Sequence, residues 1–381
     1  MSRGFDLAVV GAGVLGLAHA WAAARLGKRV VVIDRDAQAN GASIRNFGFV
    51  TVTGQQEGAV WRRARRSRDL WVSAASQAGI VVEQRGLVLP FRRRESEAVA
   101  RTFLTTSMGE GCAVLDPAEL ANRFPMLRPR EVLGALTSPH ELRVESRLAI
   151  PALWAWLEQR WGVEFSWLCA ALEVAPPRIV TSRGVIEADA AVVCPGDDLV
   201  SLFPDAIDGH EVTRCRLSMM RLADPGFRLP STAMSDLGLV RYLGYSELPQ
   251  AEALRRVLQA EQPAHLRHGI HLIVTQNADG SLVVGDSHHY ADTPDPFAAA
   301  EVEALILDEF EAALGIAAPP VIERWTGTYS SAPNAAMVCE TPVTNARLVM
   351  VTSGTGASTA FAIAEEVIGE LYDTALGDDG L

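Results

Sequence analysis

Residues 5–34 read FDLAVVGAGVLGLAHAWAAARLGKRVVVID. An apolar run, Leu7–Val10, stops at Gly11; an alanine-rich stretch with helical spacing starts at Val14; a second apolar run, Val30–Ile33, ends on Asp34. That order predicts strand, tight turn, helix and strand, the opening unit of a parallel sheet. A polar loop, GASIRNFGFVTVTGQ (41–55), then breaks the pattern. Helical spacing returns over 57–78, and IVVEQRGLVLPF (80–91) predicts a β-hairpin. Further on, GIHLIVTQ and SLVVGDSHHY alternate like strands on either side of the turn word NADG, and 294–315 has the spacing of a surface helix. VIEADAAVVCPGDDL predicts a strand ending near Gly196, and LVMVTSGTGASTAFAIAEEVIGEL a strand, a glycine loop and a helix. Two arginine runs, 61–71 and 91–97, read as a solvated helix face and an exposed turn. No internal repeat or low-complexity tract is evident, and the tail GDDGL (377–381) is expected to fray.

The first glycines carry chemistry. Gly11, Gly13 and Gly16 form GxGxxG between a strand and a helix. The first permits the turn, the second lets the backbone approach a pyrophosphate, and the third lets helix and strand pack closely. Val14 and Leu15 open the helix and present its first N–H groups. Asp34, followed by Arg35, ends the second strand where a carboxylate accepts hydrogen bonds from a ribose diol. Dinucleotide binding follows, with NAD and FAD both open at this point.

Composition narrows the class. The chain has 381 residues, 49% of them hydrophobic and 21% charged, enough for two domains or one large domain with an inserted lobe. A formal net charge of −12 argues against nucleic acid or an anionic membrane surface as partner. The five cysteines are scattered without CxxC spacing, so neither a disulfide framework nor a metal site is expected and a cytoplasmic setting fits. Arg3, an apolar run and Ala22–Ala24 mimic a secretory signal, but the fingerprint glycines and the second strand argue against one. No apolar run is long enough to span a membrane.

The polar loop separates the two nucleotides. Asp34 followed by GAS(x)RN(x)G resembles the FAD-dependent D-amino-acid oxidase superfamily, in which the equivalent loop lies along the flavin. Ser43, Arg45 and Asn46 are the matching positions, with Gly48 closing the motif. VIEADAAVVCPGDDL resembles that family's third nucleotide-contacting element, through Gly196. LVMVTSGTGASTAFAIAEEVIGEL resembles its closing motif, through Gly354, Gly356, Ala357, Ser358 and Thr359; relatives often carry more glycine there. The words GASIRNFG, QNADGSLVVGDSHHY and ERWTGTY resemble a subgroup associated with aminoalkylphosphonate breakdown.

The resemblance implies an α/β fold: a discontinuous Rossmann-like FAD-binding domain of glutathione-reductase type (1–85, 140–215 and 320–381) and an α+β substrate domain on a mainly antiparallel sheet (86–139 and 216–319). It implies hydride transfer from the carbon beside an amine to FAD, with hydrolysis of the imine that forms. The substrate it implies is N-methyl-2-aminoethylphosphonate or 2-aminoethylphosphonate, giving phosphonoacetaldehyde plus methylamine or ammonia. The electron acceptor is O2 or another oxidant. Gly327 stands where some relatives carry a flavin-linking cysteine, so the FAD is expected to be non-covalent.

An anionic substrate end needs local cations, preferably arginine. Arg45, Arg221 and Arg241 are the candidates, with Tyr242 beside the last. His288 and His289 are candidate proton acceptors or anion donors; as strand neighbours they face opposite ways, so one at most reaches a cavity. Tyr329, in ERWTGTY, is a third catalytic candidate, and Trp325 reads as wall or core. The chain's one lysine, Lys28, precedes the second strand, at the end of the sheet away from a nucleotide. The main alternative is the same chemistry on a carboxylate amine: a D-amino acid, glycine or sarcosine. A flavin hydroxylase and a non-catalytic flavin-binding subunit are readings of a different class.

Overall fold

The computed structural model describes residues 4–129 and 131–376; the GDDGL tail lies outside the described residues. The strand–turn–helix–strand opening forms over Phe5–Val10, Val14–Arg25 and Val30–Ile33. These strands belong to an eight-stranded sheet whose main path runs Met337–Glu340, Ala346–Val351, Gly184–Val193, Phe5–Val10, Val30–Ile33, Glu164–Ser166, parallel except at its Met337–Glu340 edge; Arg178–Thr181 and Ala171–Ala175 extend antiparallel from the start of Gly184–Val193. It is covered on both faces, which is why its strands are apolar without alternation. Leu7 and Val9 pack under the helices Val14–Arg25, Ser146–Trp161 and Gly356–Leu371, while Ala8 and Val31 face the other core, with Val174, Ile179 and Leu202.

The second sheet has ten strands and is antiparallel except where Thr232–Met234 runs parallel to Val82–Phe91. Its order is His289–Ala291, Thr213–Leu222, Leu282–Gly285, Ile273–Gln276, Thr232–Met234, Val82–Phe91, Gly134–Val144, Phe49–Val50. The fold is therefore α/β, with a parallel nucleotide sheet and a mixed, mostly antiparallel second sheet. The long strand Val321–Ser331, grouped in sequence with the nucleotide segments, pairs along Thr213–Leu222 in the second sheet. Its last residue bridges to Ser353 of the first lobe. Gly134–Val144 likewise stays in the second sheet beyond residue 140.

Three sequence expectations change. The expected hairpin over 80–91 is a single strand, Val82–Phe91, with its register shifting around Gly86. Gly86 takes φ +75 and lies against Ser138 O, so the glycine serves an irregularity within one strand. The 91–97 stretch is no exposed turn: Arg93 pairs with the buried Asp236 at 2.9 Å and opens the helix Arg94–Phe103. The 61–71 arginines lie on the helix Ala59–Ala78, and two of them reach the closing helix, Arg63 to Glu366 and Arg66 to Glu365. The 294–315 segment is helical only over Ala300–Leu314.

Candidate active site

A cavity of about 710 Å³ opens where the two sheets meet. At one end its wall is the first turn of the helix Val14–Arg25, with Gly13, Val14, Leu15 and Gly16. Leu17 is the first residue to bond back into the helix, to Gly13 O, so the N–H groups before it have no intrahelical partner. Ser43 Oγ takes one of them, from Val14 at 2.9 Å, and a Cβ on Gly13 would meet that hydroxyl at 2.9 Å. Gly11 takes φ +104 and sits against Cys194 O, where a side chain has no room. The closing helix Gly356–Leu371 brings a second helix start, Gly356–Ser358, to the same wall. Two helix N-termini and a cradle without Cβ atoms fit an anionic dinucleotide.

The loop 41–55 is held from several sides. Asn46 accepts from Gly48 N at 2.6 Å and from Ser146 Oγ at 2.9 Å, and donates to Ala42 O at 2.7 Å. Thr51 N donates to Ser358 Oγ at 2.9 Å, tying the loop to the closing helix. Two buried charges that sequence reasoning missed support it from below. Glu141 accepts from Thr53 N at 2.8 Å, and Arg143 donates to Phe47 O at 3.1 Å and to Gln276 O at 3.0 Å. Ser43, Arg45, Asn46, Gly196, Gly354, Gly356, Ala357 and Ser358 all line the cavity. Gly11, Asp34, Arg35, Gly48 and Thr359 are not part of its wall. Asp34 accepts from Ala12 N at 2.7 Å and Asp36 N at 2.9 Å, Arg35 pairs with Asp198, and Thr359 donates to Thr355 O.

The other end of the cavity belongs to the second sheet and to the connection between its strands Thr232–Met234 and Ile273–Gln276. Arg241, Tyr242, His271, Asp286, His288, Tyr290 and Tyr329 line it. Arg241 donates to Tyr290 Oη at 2.9 Å. Burial opposes its charge, and Tyr290, Tyr329 and Asp286 outweigh that, so the guanidinium stays protonated. Tyr329 lies under Gly354, where a Cβ would meet its ring at 3.0 Å. Burial holds His271 and His288 well below the usual imidazole range, with the Arg241 charge adding to it. Burial also raises the Asp286 carboxyl to about 8, against the pull of Arg241.

Two sequence candidates fall elsewhere. Arg221 is held by Ser281 at 2.7 Å and Asp279 at 2.5 Å, with Glu323 at 3.6 Å, and does not line the cavity. The alternation of strand side chains turns His289 away as well, against His268 at 3.1 Å. Lys28 places its ammonium over the Tyr372 ring at 4.1 Å, on the helix side of the first sheet. Trp325 donates to Arg45 O at 3.1 Å and supports the loop from outside the wall. His271 and Asp286 were missed, although both stand in strand words flagged from the sequence. The local register gives no such signal: the ladder ends where Ile273 pairs with Gly285, and its regular continuation would put His271 and Asp286 on opposite faces.

A Rossmann-type glycine turn, a closing helix and a substrate sheet around one cavity define a two-lobed dinucleotide-dependent enzyme class. The chain belongs to the DAO family of FAD-dependent oxidoreductases, whose profile matches residues 6–369. It is an FAD-dependent oxidoreductase. Among curated protein sequences, none matches it. Solved structures of similar fold include glycine oxidase from Geobacillus kaustophilus, at 16% identity and TM-score 0.76, covering 98% of this chain and 96% of that one. L-proline dehydrogenase from P.horikoshii is similar at 17% identity and TM-score 0.77, covering 98% and 94%. Iminodiacetate oxidase from Chelativorans sp. BNC1 is similar at 19% identity and TM-score 0.69, covering 97% and 95%. At such identities the likeness is one of fold. No helix among the described residues is long and apolar enough to cross a membrane.

Proposed function

We propose that this enzyme oxidises the C–N bond of a small amine that carries an acidic group at its far end, and that the acid is a phosphonate. The substrates that follow are N-methyl-2-aminoethylphosphonate and 2-aminoethylphosphonate, with phosphonoacetaldehyde and methylamine or ammonia as products. Bound FAD supplies a two-electron acceptor for a hydride equivalent from the carbon beside nitrogen. The chain's own residues bind, orient and exclude water. In this reading the glycine turn, Ser43 and the start of the closing helix hold the FAD without a covalent link. Cys194, the cysteine in the wall, is a buried thiol whose pKa burial pushes far up, which leaves little thiolate to form one.

The observation that carries the reading is Arg241: a half-buried guanidinium at the cavity wall, with no carboxylate partner within ion-pair distance among the described residues. Among the described residues its hydrogen bond goes to a phenol, so donors remain for an anion. Tyr242 stands next to it in the wall with no protein partner for its hydroxyl among the described residues, adding a third donor position suited to a three-oxygen head. A carboxylate amine is the second reading, favoured by the fold likeness to glycine oxidase and iminodiacetate oxidase.

Anaerobic mixing with N-methyl-2-aminoethylphosphonate is expected to bleach the flavin, and glycine, sarcosine and D-alanine to do so far more slowly. Arg241→Met is expected to raise KM by about 100-fold or more while kcat falls less, with Arg241→Lys recovering part of the loss. Faster bleaching by a carboxylate amine than by any aminophosphonate would transfer the assignment to the second reading. Readmitting air then separates oxidase from dehydrogenase by whether the colour returns.

A further inference from the structure

The second-sheet end of the cavity holds an acid close to two imidazoles. Asp286 Oδ1 is 3.1 Å from His271 Nδ1 and 3.8 Å from His288 Nδ1. The three residues are 3%, 4% and 7% exposed in the order Asp286, His271, His288, so their charges are not relieved by bulk water. Neither approach is aligned as a hydrogen bond, and among the described residues Asp286 Oδ1 and His271 Nδ1 have no hydrogen-bond partner. A buried carboxylate oxygen that the fold leaves unpaired is a group with something still to bind.

His288 is set apart from His271 by its backbone contact. Its Nδ1 lies 2.9 Å from Gly269 O, and a carbonyl only accepts, so Nδ1 carries the proton and the ring lone pair is on Nε2. No group among the described residues hydrogen-bonds to that Nε2, and the residue lines the cavity. The fit is tight: Gly269 takes φ +58, and a Cβ there would meet His288 Cβ at 2.9 Å.

Two uses suit such a cluster. The ligand atoms of His271, Asp286 and His288 fall within 4.8 Å of one another, close enough for a metal ion. A dication there would face the Arg241 guanidinium, whose charge already disfavours protonation of both histidines. The His288 nitrogen nearer the acid is also committed to Gly269. A proton is the better occupant. Resting on the amine reading above, oxidation demands one: the substrate arrives as an ammonium and must lose N–H before the neighbouring carbon can give up hydride.

We propose that His271, Asp286 and His288 form the enzyme's proton acceptor, in which His288 takes the substrate's ammonium proton on Nε2 and Asp286 stabilises the imidazolium. The substrate N–H bond breaks, an Nε2–H bond forms, and the lone pair released stays on the amine nitrogen. His288 touches substrate and is catalytic; Asp286 and His271 position and compensate it. The charges point the same way. Both imidazoles are kept neutral by burial and by Arg241, and the acid titrates near 8. Below that pH Asp286 holds its own proton and cannot compensate a second; above it, the carboxylate can. Arg241, Tyr242, Tyr290 and Tyr329 are the other titratable groups on this wall, and each stays in its protonated form through neutral pH.

The test uses the FAD-loaded full chain and N-methyl-2-aminoethylphosphonate, following anaerobic flavin reduction between about pH 6.5 and 10. The limiting rate in the wild type is expected to rise with pH through about 8. His288→Gln should lower it about 10²- to 10⁴-fold near neutrality, with the deficit shrinking as free amine accumulates at high pH. Asp286→Asn should remove the rise, and His289→Gln should leave the rate unchanged. Independently of turnover, nitrogen NMR of labelled histidine should show His288 neutral and protonated on Nδ1 at neutral pH.

A wild-type rate in His288→Gln, an Nε2-protonated or cationic His288, or a stoichiometric metal whose chelation abolishes reduction would each overturn the proposal while leaving amine oxidation standing. A larger loss in His271→Gln than in His288→Gln would overturn it too. If no amine bleaches the wild type at any pH, the functional reading falls and takes this proposal with it.

Discussion

Glu309 sits on the inner face of the helix Ala300–Leu314 with no side-chain exposure, accepting from Gln262 Nε2 at 2.7 Å while its other oxygen has no hydrogen-bond partner among the described residues. Burial raises its carboxyl to about 7, the nearby Asp236 adds to this, and Arg92 at 3.6 Å pulls the other way. A folded-state pKa above the unfolded value means that the folded chain holds a proton the unfolded chain has lost. The stabilisation is complete below the unfolded pKa and is lost as pH rises through about 7. Glu309→Gln keeps the shape and removes the titration. The variant is expected to melt higher than wild type at about pH 8 and to show a smaller difference in Tm between about pH 5 and 8, for a stability change on the order of 3 kcal/mol. A Tm gap as large as wild type's would remove Glu309 from the pH response. In the sequence, DEFEAAL marks this position only as one more charge on a helix. Nothing local says which acid turns inward, because Gln262 and Arg92 come from distant parts of the chain. Arg93 and Asp236 were hidden for the same reason, whereas the glycine fingerprint, being local, was legible from spacing alone.

The helices Ala59–Ala78 and Gly356–Leu371 pack against each other and hold the closing wall of the cavity in place. Trp71 Nε1 donates to Ala357 O at 2.8 Å, and Ser67 Oγ accepts from Ala362 N at 2.9 Å. The tryptophan therefore grips the first turn of the helix whose start lines the cavity. Trp71→Phe keeps an aromatic ring against Phe361, 4.9 Å away in the wild type, and deletes the hydrogen bond. FAD is expected to dissociate several-fold more readily, the equivalent of about 1 kcal/mol, with the fold retained. Recovery of flavin fluorescence on dilution measures this, and wild-type retention would show that Trp71 serves packing alone. The helix at 57–78 was legible from its period, and so were the two strands flanking NADG. The partner of each element was not, since periodicity reports which face is apolar and is silent on what covers it. Hairpin register reaches only as far as the ladder: counted back from the NADG turn it pairs Ile273 with Gly285, but its continuation would leave His271 and Asp286 on opposite faces. The failed hairpin at 80–91 marks the limit of turn reading, because a glycine between apolar runs also suits an irregular strand.

No contiguous stretch of the chain builds the cavity. Its wall takes Gly13–Gly16 from the first lobe's opening helix, Phe47 and Thr51 from the polar loop, Gly327–Ser331 from the second sheet, and Gly354–Ser358 near the carboxyl end. The strand Val321–Ser331 joins the lobes physically: it pairs along Thr213–Leu222, Ser330 Oγ donates to Gly196 O at 2.6 Å, and Ala332 N donates to Thr352 O at 3.0 Å. A ligand that bridges these segments stabilises all of them together, by about 2.7 kcal/mol when it is present at a hundred times its Kd. Adding FAD to cofactor-stripped protein is therefore expected to slow amide hydrogen exchange at the glycine turn 11–16 and the closing loop 353–358. It should also slow exchange at 45–56 and 327–336, which lie outside the nucleotide sheet. The helices Arg94–Phe103 and Ala251–Glu261 pack on the second sheet without reaching the cavity, and their exchange should hold steady. Protection confined to the first sheet would mean that the lobes respond separately, and the strand Val321–Ser331 would then be a covalent connection rather than a coupling one. Protection that spreads to 241–243 and 286–290 before any amine is added would go further. It would mean that the cofactor pre-organises Arg241 and the acid–imidazole wall, so that part of the cost of ordering the anion site is met on loading the flavin.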